Sequence, residues 1–353
     1  MASRLSLEPA SRPVISAPGF DPARLDAYLA ARFGSAPLAI EAAEGGMSNP
    51  TYFVTYGPRR MVLRKQPDVT LSPSAHRIDR DFRVLSALAG SNIPVPAPIV
   101  FCEDSAIVGT PFYLMERLEG HVFPDSSLPG LTPAPSRACF EAMAQTLAAL
   151  HAFDWLGAGL NDYGKPGNYF QRQLDGWTRQ WRQFGITDNP AIDELVAWLP
   201  GNIPPGDSAA ICHGDYRIAN IMFDTAQPRV SGVFDWELST IGHPLADVAF
   251  NLQPWFLAPD ENGGIKGLDL SSLGIPTARE YLEHYYACAP SSQRLTCFHI
   301  AFAMFRAAVG LSGVARRNET LKFPDLAAAQ QARRFAIAYA RAGLDSITTW
   351  EDE

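Results

Sequence analysis

The chain has 353 residues, 47% of them hydrophobic and 19% charged, enough apolar material for two folded lobes and unlike the composition of a disordered protein. Its formal net charge of −8 argues against nucleic acid as a partner, because a nucleic-acid binder is expected to carry a basic face. The five cysteines (Cys102, Cys139, Cys212, Cys288 and Cys297) are widely spaced, with no CxxC or Cys/His cluster. They read as reduced thiols of a cytoplasmic protein, not as a disulfide framework or a zinc site.

Residues 1–20 read as a flexible Ser/Pro/Ala-rich tail without the continuous apolar core of a signal peptide. Asp21-Pro22 predicts the N-cap and first turn of a helix reaching Phe33, with Leu25, Tyr28, Leu29 and Phe33 on one face. Residues 40–53 read as strand, glycine turn, strand, and residues 60–65 as a third strand. A helix is predicted over 75–88, its face marked by Ile78, Phe82, Leu85 and Leu88. Pro94, Pro96 and Pro98 break any helix and introduce a strand over 99–103. The turn Gly109-Thr110-Pro111 leads into another over 112–118. Residues 21–118 therefore predict a small sheet with one principal helix.

From Ser136 onward the pattern turns helical, with helices predicted over 137–153, 170–183, 191–199, 278–287, 294–314 and 325–342. Residues 300–315 are the most membrane-like stretch. Arg306 interrupts them and they are too short to span a bilayer, so a buried helix is predicted and a membrane is not expected as a partner. A β-rich 21–118 and a helical 119–353 predict an α+β fold of two lobes with a cleft between them.

The chemistry concentrates in Ile211-Cys212-His213-Gly214-Asp215-Tyr216-Arg217-Ile218-Ala219-Asn220-Ile221-Met222-Phe223 and in Val233-Phe234-Asp235-Trp236-Glu237. One acid follows a His-Gly turn, an amide comes five residues later, and a second acid stands twenty residues after the first. An apolar strand-like run precedes each acid and would let its side chain project into a cleft. Phosphoryl transfer from a nucleotide needs this set: a carboxylate to orient a hydroxyl nucleophile, and an amide and a second carboxylate to hold Mg²⁺ on the phosphates. A lone His-Gly-Asp would read as a polar turn. The added Asn220 and Asp235 make it a candidate site.

Upstream, Gly45-Gly46-Met47-Ser48-Asn49 lies between two predicted strands. Gly45 and Gly46 would let backbone N–H groups approach phosphate oxygens, with Ser48 and Asn49 as further donors, although a Gly-Gly hairpin turn is common. On the following strand, alternation places Val62 and Arg64 on one face and Leu63 and Lys65 on the other. One cation should face the phosphates: Arg64 is expected to, with Val62 lining the base pocket, and Lys65 is the alternative. Asp81 could pair with Arg64, or simply belong to the charged face it shares with Arg77, Asp79, Arg80 and Arg83. His151, His243 and Asp247 read as capping or bracing groups, and Tyr169 to Trp181 as core aromatics. No Gly-x-Ser-x-Gly elbow or HExxH is present.

With these segments the chain resembles the aminoglycoside phosphotransferase/choline kinase-type members of the protein kinase-like superfamily, over nearly its whole length. It is most similar to the kinase-like domain carried by some acyl-CoA dehydrogenases. The segment from Asp235 through Gly242-His243-Pro244 to Asp247 supports this with the His213–Asn220 loop. The resemblance implies a two-lobed kinase fold with ATP (or GTP) as donor and Mg²⁺ on its phosphates. Asp215 would be the catalytic acid/base, Asn220 and Asp235 the metal ligands, and Arg64 the phosphate anchor. Glu116, on the strand over 112–118, is counted with the nucleotide-binding residues. Asp81 stands where the family usually has Glu, one methylene longer, which leaves that ion pair open.

The acceptor implied is a small-molecule hydroxyl, first a hydroxyacyl compound such as 4-hydroxyacyl-CoA. The rival readings are a catalytically silent nucleotide-binding scaffold, against which the joint presence of Asp215, Asn220 and Asp235 argues, and an antibiotic phosphotransferase with an acidic pocket for a polycationic acceptor.

Overall fold

Helix α1 (Pro22–Phe33) begins where the Asp21 carboxylate accepts the Ala23 N–H at 3.0 Å, and it buries Leu25 and Leu29. Strands β1 (Leu38–Ala42), β2 (Thr51–Tyr56) and β3 (Arg59–Lys65) follow, then helix α2 (Ile78–Leu88), strand β4 (Pro98–Cys102), the short helix α3 (Ser105–Val108) and strand β5 (Phe112–Glu116). All pairings are antiparallel, in the order β1-β2-β3-β5-β4. The computed structural model describes residues 19–43, 49–68, 77–289, 293–321 and 324–352.

These elements make up the first of two compact units, Met1–Ala89 with Pro96–Leu118. Met61 and Leu63 of β3 join Leu25 and Leu29 of α1 in one apolar cluster with Val54, Tyr56, Phe112 and Leu114. Residues 75 and 76 of the predicted second helix lie outside the described residues. The buried face of α2 also differs from the prediction: Asp81 is 1% exposed, whereas Phe82 is only half-buried, against the rings of Phe101 and Tyr113. A polar residue occupies that inward position because Arg64 of β3 meets it there.

The second unit comprises Gly90–Val95 and Glu119–Glu353. Residues 90–95 belong to it because the Val233 N–H donates to the Pro94 carbonyl at 2.8 Å. Its elements are β6 (His121–Val122), α4 (Pro133–His151), α5 (Tyr169–Phe184), α6 (Pro190–Trp198), β7 (Ala210–Cys212), β8 (Ile221–Phe223), β9 (Val230–Val233), β10 (Thr240–Gly242), α7 (Pro244–Asn251), α8 (Leu270–Leu273), α9 (Ala278–Cys288), α10 (Cys297–Thr320) and α11 (Leu326–Thr349). β7 pairs with β10, and β8 lies between β6 and β9.

Helix α10 has 24 residues, longer than predicted, and is long and apolar enough to cross a membrane. Shortness is therefore no argument against a span. Burial is: 61% of its most apolar window is covered within the fold. Arg306, which looked like an interruption, is held by protein partners there. With helices predominating in this unit and an antiparallel sheet in the other, the chain is α+β.

Candidate active site

Two short loops carry the candidate residues, both in the second unit. The first leaves β7 as His213-Gly214-Asp215 and ends in a single 3-10 turn, Ile218–Asn220, that feeds β8. The second leaves β9 and passes through Asp235 before β10. Because β7 pairs with β10 and β8 with β9, the two loops are tied at both ends. The Phe234 N–H donates to the Asn220 carbonyl at 2.9 Å, and His213 Nε2 meets the Phe234 carbonyl at 2.7 Å. With the ring proton on Nε2, Nδ1 accepts the Asp215 N–H at 3.2 Å.

Asn220 turns its side-chain amide onto Asp215. Nδ2 donates to the Asp215 backbone carbonyl at 2.9 Å and to its Oδ2 at 2.7 Å, which leaves the amide oxygen as an acceptor. Asp215 is 21% exposed, with Arg217 Nε 3.5 Å from its Oδ2. Its pKa is raised above the usual aspartate value, chiefly by burial and further by the Asp235 carboxylate. Arg217 and the Asn220 hydrogen bond oppose the shift without cancelling it. Asp235 has φ 62°, in the left-handed region that costs a non-glycine residue strain.

Gly214 lies at φ 83°, and a Cβ there would come within 2.5 Å of the Leu238 carbonyl oxygen, so only glycine fits this turn. Asp247 of α7, 1% exposed, accepts the His213 N–H at 2.5 Å and the Gly214 N–H at 2.8 Å. Burial alone would raise the Asp247 carboxyl. His151, with Nε2 3.6 Å away, His213 and the Gly214 N–H outweigh it and hold the carboxyl below its usual range. Arg306 of α10 donates to the Gly214 carbonyl and lies 5.3 Å from the Phe250 ring. The Tyr216 hydroxyl donates to the Met143 carbonyl, and Asn251 donates to the Tyr216 carbonyl, each at 2.9 Å.

His151 and Asp247 brace the loop, as expected, and His243 caps α7 by accepting the Leu245 N–H. The Arg306 contact went unread. Its one signal was a cation inside an apolar helix, which is rarely buried without partners. Tyr169, Phe170 and Trp181 are core residues, as expected, whereas Trp177 of the same predicted run is only half-buried.

In the first unit, Arg64 Nη1 lies 3.4 Å from Asp81 Oδ2, with the side chains 11% and 2% exposed. Lys65 points the other way: its Nζ meets Asp68 Oδ1 at 2.8 Å and sits 5.9 Å from the Phe20 ring centroid. Glu116 ends β5 with its side chain exposed, and its N–H donates to the Ala97 carbonyl at 2.9 Å. Asn49 is 2% exposed and accepts the Thr51 hydroxyl at its carbonyl, at 3.0 Å. Gly45, Gly46 and Ser48 lie outside the described residues.

The sequence model of the phosphotransferase enzyme family matches residues 39–286. Acyl-CoA dehydrogenase family member 10 of Mus musculus is 38% identical over 347 residues, which is 96% of this chain but 32% of that protein. The chain thus spans about a third of the length of this relative. A crystal structure from Ralstonia eutropha JMP134, provisionally described as an aminoglycoside phosphotransferase, is 38% identical and superposes with a TM-score of 0.82, covering 92% of this chain and 99% of that one. A thermostable mutant of aminoglycoside phosphotransferase APH(4)-Ia, solved with AMP-PNP and hygromycin B, shares the fold at 18% identity and a TM-score of 0.60, covering 90% of this chain and 98% of its own. The fold is the kinase-like one of these enzymes, and the match over residues 39–286 settles the family: the chain belongs to the phosphotransferase enzyme family and is a phosphotransferase.

Proposed function

We propose that the chain transfers the γ-phosphoryl group of ATP to a hydroxyl of a small-molecule acceptor in the cytoplasm, with Mg²⁺ on the phosphates. The observation that carries this reading is the Asn220-held carboxylate of Asp215, made more basic by burial and set beside the second acid, Asp235. A carboxylate with a raised pKa is a better proton acceptor for a hydroxyl than an ordinary aspartate. Arg64 is assigned to anchoring the donor's phosphates, held in place by Asp81. Gly45, Gly46, Ser48, Asn49 and Glu116 complete the nucleotide-binding set, with Lys65 turned aside to Asp68.

The residues present suit Mg²⁺. The Asn220 amide oxygen and the Asp235 carboxylate are the hard oxygen donors this ion prefers, and Asp235 makes its neighbour's ionisation harder, as excess local negative charge should. Asp235 and Asn220 would hold the ion, which would neutralise charge on the phosphate oxygens. Asp215 orients the acceptor hydroxyl and takes its proton as the oxygen bonds to the γ-phosphorus and the bond from that phosphorus to the departing ADP oxygen breaks.

A hydroxyacyl compound such as a hydroxyacyl-CoA is the acceptor placed first. The support is the similarity to proteins named for acyl-CoA dehydrogenases. Purified protein with Mg²⁺-ATP would be screened against hydroxyacyl-CoAs, amino alcohols and aminoglycosides by detection of phosphorylated product. Transfer to a hydroxyacyl-CoA supports the assignment. Transfer only to an aminoglycoside overturns the acceptor, and transfer to none of them favours a silent scaffold.

A further inference from the structure

Asp235 keeps a left-handed backbone, φ 62°, which an aspartate adopts only where its surroundings hold it there. Entry to the residue is fixed by the Phe234 N–H, which donates to the Asn220 carbonyl at 2.9 Å. The exit is fixed by Trp236, 2% exposed, whose indole Nε1 donates back to the Val233 carbonyl at 3.0 Å. Across the two loops, the Trp236 ring packs 4.6 Å from the His213 ring.

The Trp236 carbonyl is held in turn. It accepts the Ser239 N–H at 3.0 Å and the Ser239 hydroxyl at 2.5 Å, so one residue engages both of its lone pairs. That hydroxyl gives its only proton to the carbonyl and therefore accepts from the Tyr163 hydroxyl, 2.6 Å away. Tyr163 lies between α4 and α5, 76 residues before Ser239, and both side chains are buried. The loop reaches the turn because residue 164 is glycine: a Cβ there would come 2.6 Å from the Ile241 nitrogen and 2.7 Å from the Thr240 hydroxyl oxygen on β10. A buried phenol needs a partner, and any nearby carbonyl would meet that need. Here two hydroxyls in series end instead on the carbonyl one residue after the strained acid.

We infer that Tyr163 and Ser239 are positioning residues: their hydroxyls, in series, latch the Trp236 turn and so hold Asp235 in the conformation from which it would take Mg²⁺. This rests on the reading of Asp235 as a metal ligand. Released from the latch, Asp235 relaxes toward the backbone regions open to any aspartate, and its side chain is re-aimed. Strain of this kind shifts the population of the held conformer by about 5- to 150-fold, which bounds what the latch can control.

The test uses the whole chain and needs no turnover. Calorimetry would give the affinity for AMP-PNP with and without Mg²⁺, the ratio being the Mg²⁺ response, for wild type, Tyr163→Phe, Ser239→Ala, Ser239→Thr and Asp235→Ala. Tyr163→Phe keeps the ring and its packing. It should reduce the Mg²⁺ response by about 3- to 10-fold, the effect of losing one neutral hydrogen bond, and leave metal-free affinity unchanged. Ser239→Ala cuts both links and should lose at least as much, whereas Ser239→Thr keeps a hydroxyl and should restore most of it. In an Asp235→Ala background, Tyr163→Phe should have no further effect. Hydrogen–deuterium exchange of the metal-free protein should be faster over residues 234–239 in Tyr163→Phe and unchanged over α10.

A Tyr163→Phe or Ser239→Ala protein that melts earlier yet keeps the wild-type Mg²⁺ response overturns the inference, since a purely structural contact behaves that way. Equal loss of AMP-PNP affinity with and without Mg²⁺ overturns it too. If Asp235→Ala leaves the Mg²⁺ response intact, the metal reading of Asp235 fails, and exchange then decides the latch. Faster exchange over 234–239 in Tyr163→Phe keeps it, and unchanged exchange overturns it.

Discussion

Arg64 and Asp81 meet at 3.4 Å with both side chains nearly buried, although the aspartate is one methylene shorter than the glutamate usual at this place in the family it resembles. The strand and helix bring the groups together without the extra length. Lys65, one residue on, is committed to Asp68 on the opposite face of the strand. Arg64→Ala should therefore raise KM for ATP by about tenfold or more, a loss typical of a hydrogen bond to a charged group. Lys65→Ala should change stability more than KM. Steady-state kinetics with thermal denaturation distinguishes the two, and the reverse order of effects on KM removes the phosphate-anchoring assignment from Arg64.

Asp215→Asn keeps the Asn220 hydrogen bond within reach but cannot accept a proton. Turnover should fall by about 10²–10⁴-fold, the usual share of general-base catalysis, while ATP affinity stays near wild type. Calorimetry and single-turnover rates check both halves.

The raised pKa of Asp215 gives the same variant a signature in stability. A carboxyl whose pKa is higher folded than unfolded stabilises fully only below the unfolded value, and that contribution is lost as pH rises through the folded one. At neutral pH the ionised Asp215 therefore costs stability, and Asp215→Asn should melt at or above the wild-type temperature. Activity should fall on acidification at a pH above that of an ordinary aspartate. A melting temperature below wild type at pH 7 counts against burial as the dominant cause.

Asp235→Ala should abolish the Mg²⁺ dependence of nucleotide binding while the protein stays folded. Titration of AMP-PNP with and without Mg²⁺ reads this directly, and an unchanged Mg²⁺ effect removes Asp235 from the metal site.

Asp247→Ala orphans two backbone donors, the His213 and Gly214 N–H groups, each costing about 1–3 kcal/mol when buried without an acceptor. The variant should be markedly less stable and slower in turnover. In the wild type the depressed pKa means this contribution is present above the unfolded aspartate value and is lost as pH falls through the folded one. Denaturant midpoints for wild type and variant should therefore converge on acidification.

Residues 211–223 and 233–237 were legible in the sequence because their geometry is local. Each acid sits within three residues of the end of a short apolar strand, so spacing and apolar runs suffice to place it, although only β9 finds its partner close in the chain and β7 pairs with the distant β10. Period-two alternation likewise dictated that Arg64 and Lys65 diverge, and helical periodicity found the longer helices. Which face of β3 meets α1 and which meets α2 was decided by packing, and with it the partners Asp68 and Asp81. The braces on the His213-Gly214 turn come from 34 residues away in Asp247 and 92 in Arg306, and the Tyr339 hydroxyl reaches Asn262 across 77. Such contacts depend on the rotation and depth at which α7, α10 and α11 dock. Those are set by the whole buried interface and leave no fixed spacing along the chain.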